Sequence, residues 1–364
     1  LCTVCRRLDL WELLRRPAYP PEYAILGFYP EIREKAAYCR FCRLVVTTIT
    51  TGWKSTMELD WDACSNLEET ECALDHKLWV MTQPLPPEAL KAKIDSGIIE
   101  KCSLDVLGED GVSKGMHDSE IFHPRLVEGD VANEYMLKRW MDICVDYHGD
   151  TCGAEIKNNT LRIPKCVRVI DIEAMRLVPA ASRSLFSPKI RQYVALSYVW
   201  GAVGSKDYET TQANYQQRLR RGGLSDVNFP RTILDAIETT RRLGARYLWI
   251  DAVCIIQDSD DDKKDQIGNM NIVYGAAHFT IVAAGSDDAR GPIPRSHKGS
   301  PHTVQQNVVE INGVRVALPL PTLWDLEWTP SLAPKWFERG WTYQERHLSV
   351  RIFVFTTHQV LFQC

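Results

Sequence analysis

The densest run of chemically capable residues is Arg339-Gly340-Trp341-Thr342-Tyr343-Gln344-Glu345. Trp341 and Glu345 are four apart, so on a helix they share a face, and a flat aromatic beside a carboxylate suits a ligand with a planar ring and a sugar. A core tryptophan followed by a surface or capping acid satisfies the same spacing. Arg339 could hold a phosphate or sit in a structural ion pair. Glu338, seven residues before Glu345, is the alternative carboxylate.

Thiols form the second group. Cys2-x-x-Cys5 and Cys39-x-x-Cys42 supply four sulfurs in two pairs, a common way to build a tetrahedral structural zinc site, although small residues on two packed helices show the same pattern. Cys144, His148 and Cys152 recur every four residues and could bind metal from one helix face. Gly149 and Gly153 argue against a regular helix there and favour a structural role. Cys254 sits among apolar neighbours with nothing nearby in sequence to lower its pKa, which reads as an inert buried thiol.

The elements that must position these groups fall into two halves. Residues 1–55 read as helices over Leu8–Arg15 and Glu31–Thr51, separated by a turn rich in proline and tyrosine. The segments MELDWDAC, KLWVMT and GIIEKCSLDVL, within 56–108, are short and partly alternating, as in a small antiparallel sheet. Asn133–Tyr147 reads as a helix and Val167–Ile172 as a strand, with a boundary near 185.

Beyond 190 the order is regular. YVALSYVWG (193–201), YLWIDAVCII (247–256) and FTIVAA (279–284) are buried strands. Between the first two, Pro230 opens a helix whose Ile233, Ile237 and Thr240 share a face and which Gly244 closes. Between the last two, the acids 258–262 open a helix that buries Ile267, Met270, Tyr274 and Ala277. Such alternation predicts a parallel sheet covered by helices on both faces. An insertion over 285–334 carries a hairpin turning at Asn312-Gly313, after which a short helix bears Glu345 and RIFVF and QVLFQ close the chain as a hairpin.

A chain of 364 residues, 45% hydrophobic and 25% charged, is long enough for two or more cores. Its net charge of −4 disfavours nucleic-acid and anionic-membrane partners. No apolar run approaches the roughly 20 residues of a membrane span. Twelve scattered or paired cysteines suit a reducing compartment, and cytoplasm is the expectation.

Three blocks, YVALSYVWG, YLWIDAVCIIQD with its helix ending MNIVYGAA, and RGWTYQERHLS, resemble in order and wording those that define the fungal heterokaryon-incompatibility (HET) domain of regulated cell-death effectors. The upstream WMDICVDYHGDTC and IPKCVRVID also look like the segment that often precedes that domain. HET domains in turn resemble Toll/interleukin-1 receptor (TIR) domains, whose enzymatic members cleave NAD with the glutamate of a W-x-x-x-E pattern.

The resemblance implies several things. Residues 186–364 would form a TIR-like, flavodoxin-like parallel sheet, preceded by an α+β region over 1–185. WTYQE makes Glu345 the catalytic residue. Ser197, Tyr198, Trp200, Gly201, Asp251, Arg339 and Trp341 would bind substrate, NAD or a related nucleotide, at the carboxyl ends of the strands. One carboxylate is enough, because nicotinamide is already a cationic leaving group and needs no general acid, unlike the leaving group of an ordinary glycoside. Self-association or an allelic protein partner is implied as well. A non-catalytic, TIR-like assembly module is the alternative.

Overall fold

A computed structural model of the protein describes residues 1–10, 26–51, 77–80, 102–107, 126–127, 131–148, 151–152, 163–180, 193–201, 207–300, 306–329 and 332–364. Most of the expected Leu8–Arg15 helix and the MELDWDAC strand lie outside these. Among the described residues the strands are β1 (Lys77–Val80), β2 (Cys102–Leu107), β3 (Arg168–Asp171), β4 (Arg176–Pro179), β5 (Tyr193–Ser197), β6 (Tyr247–Trp249) and β7 (Phe279–Ala283). They continue with β8 (Val308–Ile311), β9 (Val314–Ala317), β10 (Ile352–Phe355) and β11 (Val360–Gln363).

The chain divides into two units, Leu1–Glu128 with Gln305–Leu320, and Gly129–Val304 with Pro321–Cys364. The division falls at Glu128, where the sequence suggests 185. Strand pairing explains the difference: β3 binds β6 further along the same sheet, while the hairpin within 285–334 joins β2.

Among the described residues of the first unit an antiparallel sheet of order β1-β2-β9-β8 accompanies three helices, Thr3–Arg6, Tyr29–Lys35 and Arg40–Thr51. The expected single helix over Glu31–Thr51 is broken at residues 36–39. Asn312 (φ 49°) and Gly313 (φ 80°) are both left-handed, the geometry a two-residue hairpin turn requires. Ile32, Phe41, Leu44, Ile311 and Val316 share one apolar cluster with all four amino-terminal cysteines.

The second unit is a seven-stranded mixed sheet of order β11-β10-β7-β5-β6-β3-β4. Its four central strands run parallel, β10 to β7, β7 to β5 and β5 to β6, whereas β11, β3 and β4 pair antiparallel at the edges. In chain order the parallel strands stand 2-1-3-4. The chain therefore leaves β5 toward one side and returns on the other, opening a crevice at the carboxyl ends of β5 and β7. Every residue of β5, β7 and β10 is buried, as parallel strands covered on their faces demand.

The helix Arg231–Arg242 follows Pro230, buries Ile233, Ile237 and Thr240, and gives way to a left-handed Gly244. Three expectations need correction. YLWIDAVCII is a three-residue strand followed by a helical turn, Asp251–Cys254, because the amides of Val253 and Cys254 bond back to the Ile250 carbonyl. The helix over 258–277 is two, Asp260–Ile267 and Met270–Gly275, and Ile267 is exposed. RIFVF is both half of the last hairpin and the fourth parallel strand.

Candidate functional site

Ser197 is the last residue of β5 and is buried. Its hydroxyl donates to Oε2 of Glu345 in a short hydrogen bond and accepts from the indole Nε1 of Trp336 at 2.8 Å. The hydroxyl is therefore oriented from both sides, and the chain Trp336–Ser197–Glu345 is a directed relay. Glu345 reaches the strand because the helix Gly340–Leu348 turns its Thr342 and Glu345 inward. The Thr342 hydroxyl lies 2.7 Å from the Trp336 carbonyl and 2.5 Å from that of Arg339, which ties the helix to the 3-10 turn Lys335–Glu338 before it.

Burial pushes the Glu345 carboxyl up from 4.5 to about 7; the Ser197 bond and the Arg339 charge oppose the shift and the Asp251 charge adds to it. The rise follows from removing a carboxylate from water with a neutral hydroxyl as its hydrogen-bond partner. Near neutrality the group exchanges between acid and carboxylate.

A second carboxylate lies across the strand ends. Asp251 Oδ2 accepts from Trp200 Nε1 at 2.8 Å and Oδ1 from the Ala252 amide at 2.7 Å. Burial raises it to about 6, against the pull of those two bonds. Trp200 stacks on buried Tyr198 with centroids 6.5 Å apart. Arg339 Nη1 donates to the Tyr198 carbonyl at 2.5 Å, so this arginine braces the loop after β5. Gly201 is left-handed (φ 69°), and a Cβ there would stand 2.2 Å from the Cβ of Asp288. The loop after β5 and the loop after β7 meet at a point that only glycine permits.

A cavity of about 300 Å³ opens beside Gly285, Ser286, Asp288, Gly291, Pro294 and Thr357, where β7 and β10 end. The carboxyl ends of all four parallel strands thus carry either a singled-out polar side chain or the wall of a cavity, the place where open α/β sheets bind ligands.

Of the residues singled out in the sequence, Ser197 and Glu345 meet directly, and Tyr198, Trp200, Asp251 and Arg339 form the adjoining network. Trp341 departs from expectation. It is 53% exposed, while Glu345, four residues on, is 6% exposed. The shared face is real in sequence but lies at the boundary between core and solvent. Trp336 takes the inward role, and spacing alone could not choose it, since it lies across the break between the 3-10 turn and the helix. Glu338 is exposed. Cys254 is fully buried with its thiol pushed up to about 12, in keeping with an inert group.

Residues 193–345 match the family model described as Heterokaryon incompatibility protein (HET). This stretch is similar to a HET domain. The relay, the Trp200–Asp251 pair and Gly201 all fall inside the matched residues, and the cavity beside them is lined by those residues and by Thr357. Heterokaryon incompatibility protein 6, OR allele, of Neurospora crassa is 31% identical over 103 residues, which cover 26% of this chain and 14% of that protein. The chain thus aligns with a small part of that relative's length. No solved structure matches. Among the described residues no helix is long and apolar enough to cross a membrane.

In the first unit the four predicted ligands come together. Cys2 Sγ lies 3.4 Å from Cys5 Sγ and 3.8 Å from Cys42 Sγ, and Cys5 Sγ lies 3.6 Å from Cys42 Sγ. All four sulfurs, Cys39 included, are within 4.8 Å of one another and buried. Four thiolates about 2.3 Å from a central zinc stand about 3.8 Å apart, so the spacing fits. Cys2 and Cys39 each precede a helix, and the Cys42 amide points at Cys39 Sγ at 3.5 Å.

Proposed function

We propose that the protein acts in heterokaryon incompatibility, the process in the name of its Neurospora crassa relative, and that its HET-like region hydrolyses NAD at the nicotinamide–ribose bond. The observation that carries this reading is Glu345, a buried carboxyl held by Ser197 at the end of the first parallel strand. The 2-1-3-4 order is that of a flavodoxin-like sheet and supports a TIR-like relation, with the crevice beside β5 as the nucleotide site.

In the reaction the C1′–N bond breaks and its electron pair leaves with nicotinamide. Water then adds its oxygen to C1′ and releases a proton. The ribosyl group passes through an oxocarbenium-like state, and Glu345 as carboxylate opposes that developing charge in a partly dry site. Tyr198 and Trp200 offer ring faces, and Asp251 offers an acceptor for a hydroxyl. The four-cysteine cluster is proposed as a structural zinc site that supports the first unit.

The test is to incubate the protein with NAD and measure free nicotinamide. Wild type is expected to release it, and Glu345→Gln to fall by ~100-fold or more, the scale of losing one preorganised electrostatic group. Equal rates would sink the residue assignment, and no release by wild type in any assembled state would sink the reaction. Exposed aromatics favour a second reading, a non-catalytic assembly module. Trp341 and Tyr343 on the Glu345 helix and Trp324 and Trp328 nearby in sequence all face solvent, as residues of a self-association surface would in the free chain. On that reading Glu345→Ala retains cell killing and Trp341→Ala abolishes it.

A further inference from the structure

The second cysteine cluster has four donors, one more than the spacing of Cys144, His148 and Cys152 suggests. The helix Glu134–Tyr147 ends with His148 as its carboxyl-terminal cap. The amides of Thr151 and Cys152 both bond to the His148 carbonyl, at 2.9 and 2.7 Å, which folds the chain back on itself. Cys152 is thereby returned toward Cys144 without a continuing helix. The fourth donor comes from more than 200 residues away: Cys364, following edge strand β11, places its Sγ 3.4 Å from His148 Nδ1. One ligand atom from each of the four lies within 4.8 Å of all the others.

We propose that Cys144, His148, Cys152 and Cys364 bind a second zinc ion. A tetrahedral zinc with sulfur at about 2.3 Å and nitrogen at about 2.0 Å sets sulfur and nitrogen about 3.5 Å apart, close to the His148–Cys364 distance. Charge supports the assignment. Three thiolates and a neutral imidazole leave a zinc site with one net negative charge, and buried Arg351 stands beside it, donating Nε to Cys144 Sγ at 3.1 Å. The same guanidinium bonds the Cys152 carbonyl at 3.2 Å and the His278 carbonyl at 3.2 Å. A fixed cation donating to a ligand sulfur is the outer-shell partner such sites carry.

The site would fasten β11 to the helix Glu134–Tyr147, where Trp140 already stacks on Phe362 at 6.1 Å. Through Arg351 it would also anchor the start of β10, the strand entered from the Glu345 helix. Its role is structural, since all four positions are filled by protein.

The chain purified after growth with zinc is examined by native mass spectrometry, and by thiol alkylation mapped residue by residue before and after chelation. Two metal ions per chain are expected, with Cys144, Cys152 and Cys364 protected until the chelator is added. Cys364→Ser should remove one ion and expose Cys152, while Cys364→His should keep both. One ion with protection confined to these three cysteines upholds this site and removes the four-cysteine one. Immediate alkylation of Cys152 and Cys364 in the untreated protein, or a disulfide among the three, overturns the proposal.

Discussion

Ser197 gives Glu345 a hydroxyl as its hydrogen-bond partner where a cation would have held it ionised, and this governs how the carboxyl titrates. With the native value raised from 4.5 to about 7, the folded chain binds more protons than the unfolded one between those two values. Stability from this group therefore falls as pH rises through that window, and the full cost is present by about pH 8, roughly 3 kcal/mol from the size of the shift. Glu345→Gln keeps an acceptor for Ser197 and cannot ionise. Its melting temperature is expected to exceed that of wild type at pH 8 and to equal it near pH 4, which calorimetry at the two pH values checks. Catalysis runs the other way, because the proposed role needs the carboxylate. Nicotinamide release should rise through pH 7 and be about tenfold lower at pH 6 than on the plateau. A flat profile would remove Glu345 from the rate law. The resemblance of WTYQE to the W-x-x-x-E pattern pointed to this residue, but not to its burial, which depends on a strand 148 positions earlier.

The helix Gly340–Leu348 carries one expected tryptophan, and the turn before it carries another that the sequence did not single out. Trp341 was legible as an aromatic four before the glutamate, yet it faces solvent, while Trp336 on the preceding turn reaches Ser197. Periodicity is read within an element, and the break at Arg339 between a 3-10 turn and an α-helix resets the phase. The same limit shortened the expected strand at Asp251, whose turn closes through local amides that leave no mark on an apolar run. Substitution separates the two tryptophans. Trp336→Phe leaves the Ser197 hydroxyl without its orienting donor and is expected to cost about 1–3 kcal/mol of stability and to shift the pH profile of Glu345. Trp341→Ala should change stability by less than about 0.5 kcal/mol, as for an exposed surface position. A large loss for Trp341→Ala in the isolated chain would mean its ring packs against structure after all.

At the scale of the whole chain, three of the four parallel strands, the helix Arg231–Arg242 and the Asn312-Gly313 hairpin were legible from local pattern, and the partition between units was not. Which sheet a strand joins is a long-range choice, and no window of sequence reports that β3 pairs with β6 or that β9 pairs with β2. The consequence can be tested by cutting the chain. A fragment beginning at residue 186 discards β3, β4 and the helix Glu134–Tyr147, and uncovers Leu248 together with its neighbours in β6. It also forfeits the burial of Val167, Val169, Ile170, Ile172 and Leu177, all at most 2% exposed. At about 1.5–3 kcal/mol for each fully buried aliphatic side chain, that loss is ~10 kcal/mol, comparable to the entire stability of an ordinary domain. In addition the hairpin β8–β9 would be left with β2 missing, an unpaired edge open to aggregation. That fragment should be insoluble or lack a cooperative melt. A fragment of 129–364 in which residues 305–320 are replaced by a short glycine-serine linker retains all seven strands of the mixed sheet and should melt cooperatively. Were the 186–364 fragment to melt as sharply as the longer one, β3 and β4 would be an appendage to the sheet instead of its edge.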